Sequence, residues 1–387
     1  MAVSYMDRQA LAVLAPTVTR VMNISEPAYG LLASAFAAAY LVGTPLSGWW
    51  IDRVGARRGL VYSILTWSAV AALHALAPGY AALFTLRIAL GLAEGPSFPG
   101  AAQAVVRVIP PEERSRGFGV LFSGSSIGAM IAPPLASALY RVAGWRVAFL
   151  GTAAIGLLWI PVWMAVTGRP AAAAQLDTPG PVNAAEPRPP FRALVTHPIM
   201  LRALIAIFAV APVLGLVVAW GAKFLTLRFH VAQGDVGSYL WLPPLASDAG
   251  SLLFGDLAVR QRRAAGAPPR ALFAAAALLV AGLALLPIAN TPWQSIAVFG
   301  VAMGGATAVY TLVTSDMLGR MPPASASSAA GIIAGAQSLA LIISSPLIGL
   351  AVKRYGGYDV VALALAAWVV PGSIVWWAWR PAARFSQ

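Results

Sequence analysis

Apolar runs of about 20 residues recur from one end of the sequence to the other, each long enough to carry a helix across a bilayer core. Lipid is therefore the solvent for most of the chain. The pattern predicts helices near 1–22, 29–50, 60–78, 80–108, 116–140, 145–167, 201–228, 235–259, 271–288, 293–317, 325–352 and 359–379. A Pro- and Ala-rich segment, Arg169–His197, separates two sets of six and reads as a polar linker without a fold of its own. A charged fraction of 10% agrees, since soluble domains carry about 25%.

A net charge of +13 would suit nucleic acid, but the arginines sit in alternate loops. With the loop around Asp52 placed in the cytoplasm, 17 of the 26 Lys and Arg fall on that side and six on the other. The remaining three, Arg8, Arg87 and Lys223, lie inside helices. This asymmetry predicts a multi-pass membrane protein, with no nucleic-acid partner and with the linker and both termini cytoplasmic. The sequence has no cysteine, which excludes disulfides, thiolate chemistry and cysteine-ligated zinc. His74, His197 and His230 are too far apart to offer metal-ligand spacing. No metal or other cofactor is expected, and nothing resembles a cleavable signal peptide.

One short loop stands out, Gly48-Trp-Trp-Ile-Asp52-Arg53-Val-Gly55-Ala-Arg57-Arg58-Gly59. Its glycines permit sharp turning and close helix approach. The spacing resembles the signature loop between the second and third helices of major facilitator superfamily transporters. A worn copy, Gly255–Arg263, has Val259 where Asp52 would be. Pro133 and Arg141–Val147 recur 213 residues later as Pro346 and Arg354–Val360. The resemblance implies an all-α membrane protein with 12 transmembrane helices in two pseudo-symmetric six-helix bundles, 1–168 and 198–387. They are joined by the cytoplasmic linker 169–197, with a substrate site near the midplane between the repeats. Gly48, Asp52, Arg53, Gly55 and Arg57 are then gating candidates. Asp52 can face the start of the eleventh helix, where Ser325 and Ser327 offer caps and free N–H groups favour an anion. A purely topogenic role for Arg53, Arg57 and Arg58 fits equally well.

The first helix is short at its start. Six residues precede Asp7, roughly 9 Å of helix, against about 15 Å for half the hydrocarbon core. With Asp7 near mid-membrane, the expectation is a helix truncated at its N-terminus or a misassigned start codon.

Charges inside membrane spans cost about 2.5–3.5 kcal/mol each and require a reason. Asp7 and Arg8 are adjacent within Tyr5-Met6-Asp7-Arg8. Arg87 and Glu94 share a helix face, being nearly two turns apart. Lys223 follows Trp220 by about one turn, and Asp248 lies in the eighth helix. These stretches resemble the anion:cation symporter family: Tyr5-Met6-Asp7-Arg8, Arg87-Ile-Ala-Leu-Gly-Leu-Ala-Glu94-Gly-Pro-Ser-Phe-Pro99, Pro111-Glu-Glu-Arg114 and Gly144-Trp-Arg146. Trp241-Leu-Pro-Pro-Leu-Ala-Ser-Asp248-Ala-Gly250-Ser251 is similar to its hexuronate and aldonate carriers. The resemblance implies proton-driven symport of a small sugar acid by a monomer in a bacterial inner membrane. It puts Arg8 on the substrate carboxylate, Asp7 and Glu94 in proton coupling, and Tyr40 in the cavity wall.

Chemistry supports those roles. Arginine offers a planar, permanently charged fork for a carboxylate, and an acid moving between wet and dry surroundings can take up and release protons. A substrate anion competing for the arginine would couple the two fluxes. Tyr5, Trp220, Lys223, Gln337 and Ser338 complete the substrate-binding candidates, while Arg87 and Asp248 join the gating set. Structural readings stand beside these: Asp7–Arg8 and Arg87–Glu94 as plain ion pairs, Lys223 snorkelling to the interface, Asp248 in packing, aromatics as bundle filling. Two functional rivals also stand. One is export or exchange of another monocarboxylate or a drug-like anion. The other is a membrane sensor, which calls for long cytoplasmic output domains that this sequence does not carry. Gly124-Ser-Ser-Ile-Gly128 matches a nucleophile elbow, but it lies inside an apolar run, where small residues four apart serve helix packing. No catalytic constellation is present, so no enzyme is expected.

Overall fold

The computed structural model describes residues 1–110, 113–178, 190–261, 270–321 and 325–381, excepting the side chains of 115, 326 and 327. Among them every regular element is helical. The first six are α1 (Ala2–Val21), α2 (Glu26–Val54), α3 (Ala56–Leu73), α4 (Tyr80–Glu94), α5 (Ser97–Val108) and α6 (Arg114–Thr167). Two short helices follow, α7 (Pro170–Asp177) and α8 (Phe191–Thr196). Then come α9 (Pro198–Gly215), a π segment (Leu216–Trp220), α10 (Gly221–Phe229), α11 (Gly237–Leu240) and α12 (Leu242–Arg260). The chain closes with α13 (Arg270–Ala281), α14 (Pro292–Leu318), α15 (Ala326–Tyr355) and α16 (Asp359–Ala378).

Eight of the described helical stretches are long and apolar enough to cross a membrane. One of them, α6, holds two passes, because Ala143 (φ −153°) and Gly144 (φ 81°) leave helical geometry in its middle. Three further passes fall short of that length or hydropathy for identifiable reasons. α1 carries Asp7, Arg8 and Arg20, α4 and α5 are parted at Gly95-Pro96, and α12 carries Asp248, Asp256 and Arg260. Twelve passes result among the described residues. Each half has a positive-φ glycine near the same break, Gly144 and Gly356, one residue out of register with the 213-residue offset.

The chain divides into two compact units, Met1–Ala184 with Gly221–Trp241, and Ala185–Trp220 with Leu242–Gln387. In the first, α1 packs on α6 and α2 on α4. Glycines set the second of these contacts: a Cβ on Gly91 would lie 2.5 Å from the Phe36 carbonyl oxygen and 2.8 Å from the Ala39 Cβ. Gly91→Val is therefore expected to push α4 off α2, destabilising the bundle by about 3 kcal/mol or more. A lowered unfolding temperature in detergent checks this; an unchanged one would mean the helices tolerate separation. Of the Gly124/Gly128 pair, Gly128 serves packing, since a Cβ there would strike the backbone of Ala2, whereas a Cβ on Gly124 would make ordinary contact at 3.8 Å.

In the second unit α12 packs on α14, where Gly250 lies directly on the Gly304 backbone. A buried polar clamp ties its helices. Arg202 on α9 bonds the Trp376 carbonyl (2.9 Å) and Asp316 on α14 (3.2 Å), and Asp316 also meets Arg320 (2.8 Å). Trp376 stacks on Phe273 at 3.9 Å.

Two expectations need correction. α2 and α3 are parted by Gly55 alone, so the expected loop is mostly helix: hydropathy marks where a helix leaves lipid, not where it ends. Gly55 does need to be glycine, with φ 87°. Gly48, by contrast, lies inside α2 with open space where a Cβ would stand, and serves neither turn nor close approach. The linker 169–197 carries the short helices α7 and α8, and 179–189 lie outside the described residues. Pro170 at the first helical turn and four alanines favour α7. Its end docks on the signature loop. Leu176 is buried, and Asp177 accepts from Arg57 at 3.1 Å and faces Arg58 at 3.7 Å. A Cβ on Gly55 would lie 2.8 Å from the Asp177 Cα.

Candidate functional site

Successive helical residues point about 100° apart, and α1 uses that angle to send Asp7 and Arg8 to different walls. Arg8 turns to α2 and α4. Its Nη2 and Nε lie 2.9 and 3.2 Å from Glu94 Oε2, and the rings of Tyr5, Phe36 and Tyr40 surround the guanidinium at 5.0, 5.0 and 4.5 Å. Arginine stacked on desolvated rings gains up to about 2 kcal/mol per contact. Glu94 is fully buried, whereas the Arg8 side chain keeps 24% of its surface open. The Ser4 hydroxyl, one turn before Arg8, also donates to Glu94 Oε2, at 2.9 Å. Among the described residues Nη1 of Arg8 makes no hydrogen bond.

Asp7 turns instead to α3 and α6. It is 1% exposed, beside the Trp67 indole and the Thr152 hydroxyl, and among the described residues neither oxygen accepts a hydrogen bond of good geometry. A Cβ on Gly156 would stand 3.4 Å from Asp7 Oδ2, so α6 comes close to the acid here. Beneath lies an apolar cluster of Phe36, Ile64, Trp67, Ala71, Leu90 and Ala153. Arg87 donates to the Arg8 carbonyl at 3.4 Å, and its Nε and Nη2 find no acceptor among the described residues. The local pairings Asp7–Arg8 and Arg87–Glu94 are absent among the described residues. The pair that forms joins α1 to α4 across 86 residues.

The signature-loop residues have near neighbours. Asp52 accepts from the Gln103 amide at 2.7 Å, and Arg53 stacks over Trp49 at 3.5 Å. The Ser327 side chain lies outside the described residues. Trp220 is fully buried, edge-on to Tyr358 at 6.3 Å. Lys223 bonds Glu26 and Thr19, each at 2.9 Å, and lies over the Tyr29 ring at 5.3 Å. Gln337 and Ser338 are half-buried on α15, with the Ser338 hydroxyl turned back to the Ala334 carbonyl at 3.1 Å. Asp248 is half-buried on α12.

Three participants escaped the sequence reading. Ser4 sits at i−4 from Arg8, a spacing that could have exposed it. Glu26 reads as an ordinary first-turn helix acid and gave no sign of Lys223. Gln233, in the segment between α10 and α11, accepts from the Thr17 amide (3.2 Å) and hydroxyl (3.1 Å) and donates to the Val13 carbonyl (2.7 Å). With Ser137 bonded to the Gly237 amide at 3.0 Å, these contacts hold Gly221–Trp241 in the first unit. The π segment lies immediately before the point where the chain enters that unit.

Comparison with known proteins decides the family. The model of the Major Facilitator Superfamily matches residues 1–344. This chain belongs to that superfamily. Among its relatives, the hexuronate transporter of Escherichia coli K12 is 26% identical over 392 residues, covering 96% of this chain and 90% of its own. The D-galactonate transporter of Escherichia coli O6:H1 is 30% identical over 281 residues, covering 67% and 65%. A bacterial homologue of the human lysosomal transporter Spinster, solved in an inward-facing and occupied conformation, superposes with a TM-score of 0.80. It is 15% identical, with 98% of this chain and 96% of that chain covered. Fold and relatives are those of transporters rather than enzymes. Among the described residues of this facilitator, no group of His, Cys, Asp and Glu is arranged to hold a metal ion.

Proposed function

We propose that this facilitator carries a small sugar-acid anion, a hexuronate or an aldonate, together with protons, as a monomer in a bacterial inner membrane with its linker and termini cytoplasmic. The arrangement of Arg8 and Glu94 carries the reading. A partly open arginine, boxed by three aromatic rings, spends two of its donors on a fully buried acid. A substrate carboxylate can enter at Nη1 and then compete for the Nη2–Nε edge. As Glu94 loses those donors, its charge is left uncompensated in a dry site, and a proton becomes the cheapest partner. Release of the substrate returns Arg8 to Glu94 and expels the proton. Asp7, on the opposite wall, is the second proton carrier. Tyr5 and Tyr40 position the arginine and offer flat faces to a sugar ring. The relatives' hexuronate and galactonate cargoes supply the substrate class.

The test is uptake of labelled galacturonate and galactonate into proteoliposomes, with and without an inward proton gradient. Accumulation against the concentration gradient is expected only with the proton gradient. In Glu94→Gln that accumulation should vanish while substrate exchange between the two sides persists. Gradient-independent uptake by the unmodified protein would replace symport with facilitated exchange. Silence with both sugar acids would move the substrate class to other monocarboxylates.

A further inference from the structure

Three donors converge on one oxygen of Glu94, and none reaches the other. Ser4 Oγ, Arg8 Nη2 and Arg8 Nε all point to Oε2, while Oε1 is buried without a partner among the described residues. Two of the donors belong to the arginine and must leave when it engages a substrate. The third is a neutral hydroxyl on the same face of the same helix, 1% exposed and packed in place. An arginine that has turned to a substrate no longer donates to Glu94, whereas the Ser4 hydroxyl can donate to Oε2 whether that atom is a carboxylate or a carbonyl oxygen.

We propose that Ser4 is a positioning residue for the coupling acid, holding Glu94 Oε2 toward α1 in both protonation states so that the proton is delivered to the bare Oε1. In the ionised state Ser4 donates to Oε2. When Arg8 swings away, that bond keeps the carboxylate from following it, and the arriving proton forms its bond to Oε1. The O–H of Glu94 then lies on the side away from α1, and Ser4 keeps its bond to Oε2, now a carbonyl oxygen. Without Ser4, Glu94 has no fixed partner once Arg8 has left. The charged and titratable groups around it are Arg8 and Asp7 on α1, with the Tyr5 phenol beside Arg8, the Met1 amino group just before α1, and Arg87 on its own helix. α2 contributes the phenols of Tyr29 and Tyr40, which face Arg87 and Arg8, and His74, just past the end of α3, faces Arg87. Among the described residues, Ser4 is the neutral group that donates a hydrogen bond to Glu94 itself.

This inference rests on Glu94 as the proton carrier, and its test is chosen to separate the two. The pH midpoint of the protonated Glu94 carboxyl band is read by infrared difference spectroscopy on the purified full chain, with Glu94→Gln assigning the band. Ser4→Ala removes a donor to the charged form, so the midpoint should rise by about one pH unit, and Ser4→Thr should restore it. The pH optimum of gradient-driven uptake should move in the same direction. An unchanged midpoint in Ser4→Ala, with the variant folded by its unfolding temperature, would overturn the inference. A shift that Ser4→Thr does not restore would reduce Ser4 to packing. Uptake indifferent to the proton gradient in the unmodified protein would instead sink the coupling role of Glu94, while the band still reports on Ser4.

Discussion

Arg8→Lys is expected to lower sugar-acid binding and uptake by about 100-fold, although it conserves charge. An ammonium cannot hold the geometry observed here, in which one edge of a planar fork engages Glu94 while the guanidinium carbon lies over the rings of Tyr5, Phe36 and Tyr40. Losing the second donor and the stacking together amounts to about 3 kcal/mol, and 1.4 kcal/mol is a factor of ten. Binding of galacturonate to purified protein measures the first effect and proteoliposome uptake the second. Arg8→Ala goes further, since it strands a fully buried acid and should destabilise the fold by about 3–5 kcal/mol. Adding Glu94→Gln to Arg8→Ala should restore the unfolding temperature without restoring uptake. Restored uptake in that double variant would remove Arg8 from substrate recognition.

Asp7→Asn is expected to raise stability while abolishing proton-driven accumulation. The carboxyl is 1% exposed, and among the described residues its oxygens accept no hydrogen bond of good geometry. A carboxylate in such a place carries an uncompensated desolvation cost that a neutral amide of the same shape avoids. The stabilising difference is about 1–3 kcal/mol, seen as an unfolding temperature higher by several degrees. Accumulation should fall to the level of simple equilibration, because the amide cannot exchange a proton. Binding at Arg8 should survive, since Arg8 faces the other wall. A lowered unfolding temperature would show that the charged form is held by Trp67 and Thr152; retained accumulation would leave Glu94 as the sole carrier.

Much of the fold was legible because lipid imposes one rule on every pass. Runs of apolar residues located the crossings, and the 213-residue echo located the repeat. The charged residues of the candidate site were legible too, since a charge inside an apolar run has few excuses. Their partners were not. The sequence offers the nearby pairs Asp7–Arg8 and Arg87–Glu94, yet Arg8 reaches Glu94, and Lys223 reaches Glu26, only after distant helices have packed. A period of 3.6 residues carries no hint of the π segment before Gly221, so Trp220 and Lys223 look like one face although one is sealed against Tyr358 and the other is paired with Glu26. Composition likewise hid α7, whose order comes from docking as much as from its alanines.

The docking of α7 has a consequence for the two repeats as separable pieces. The N-terminal repeat owns the joint: the helix that neutralises Arg57 and covers Gly55 is built from residues that follow its last pass. A chain severed before Pro170 and co-expressed as halves would leave that surface bare, whereas one severed beyond Thr178 would keep it covered. Of the two repeats, the first therefore keeps the connecting helix as part of its own surface.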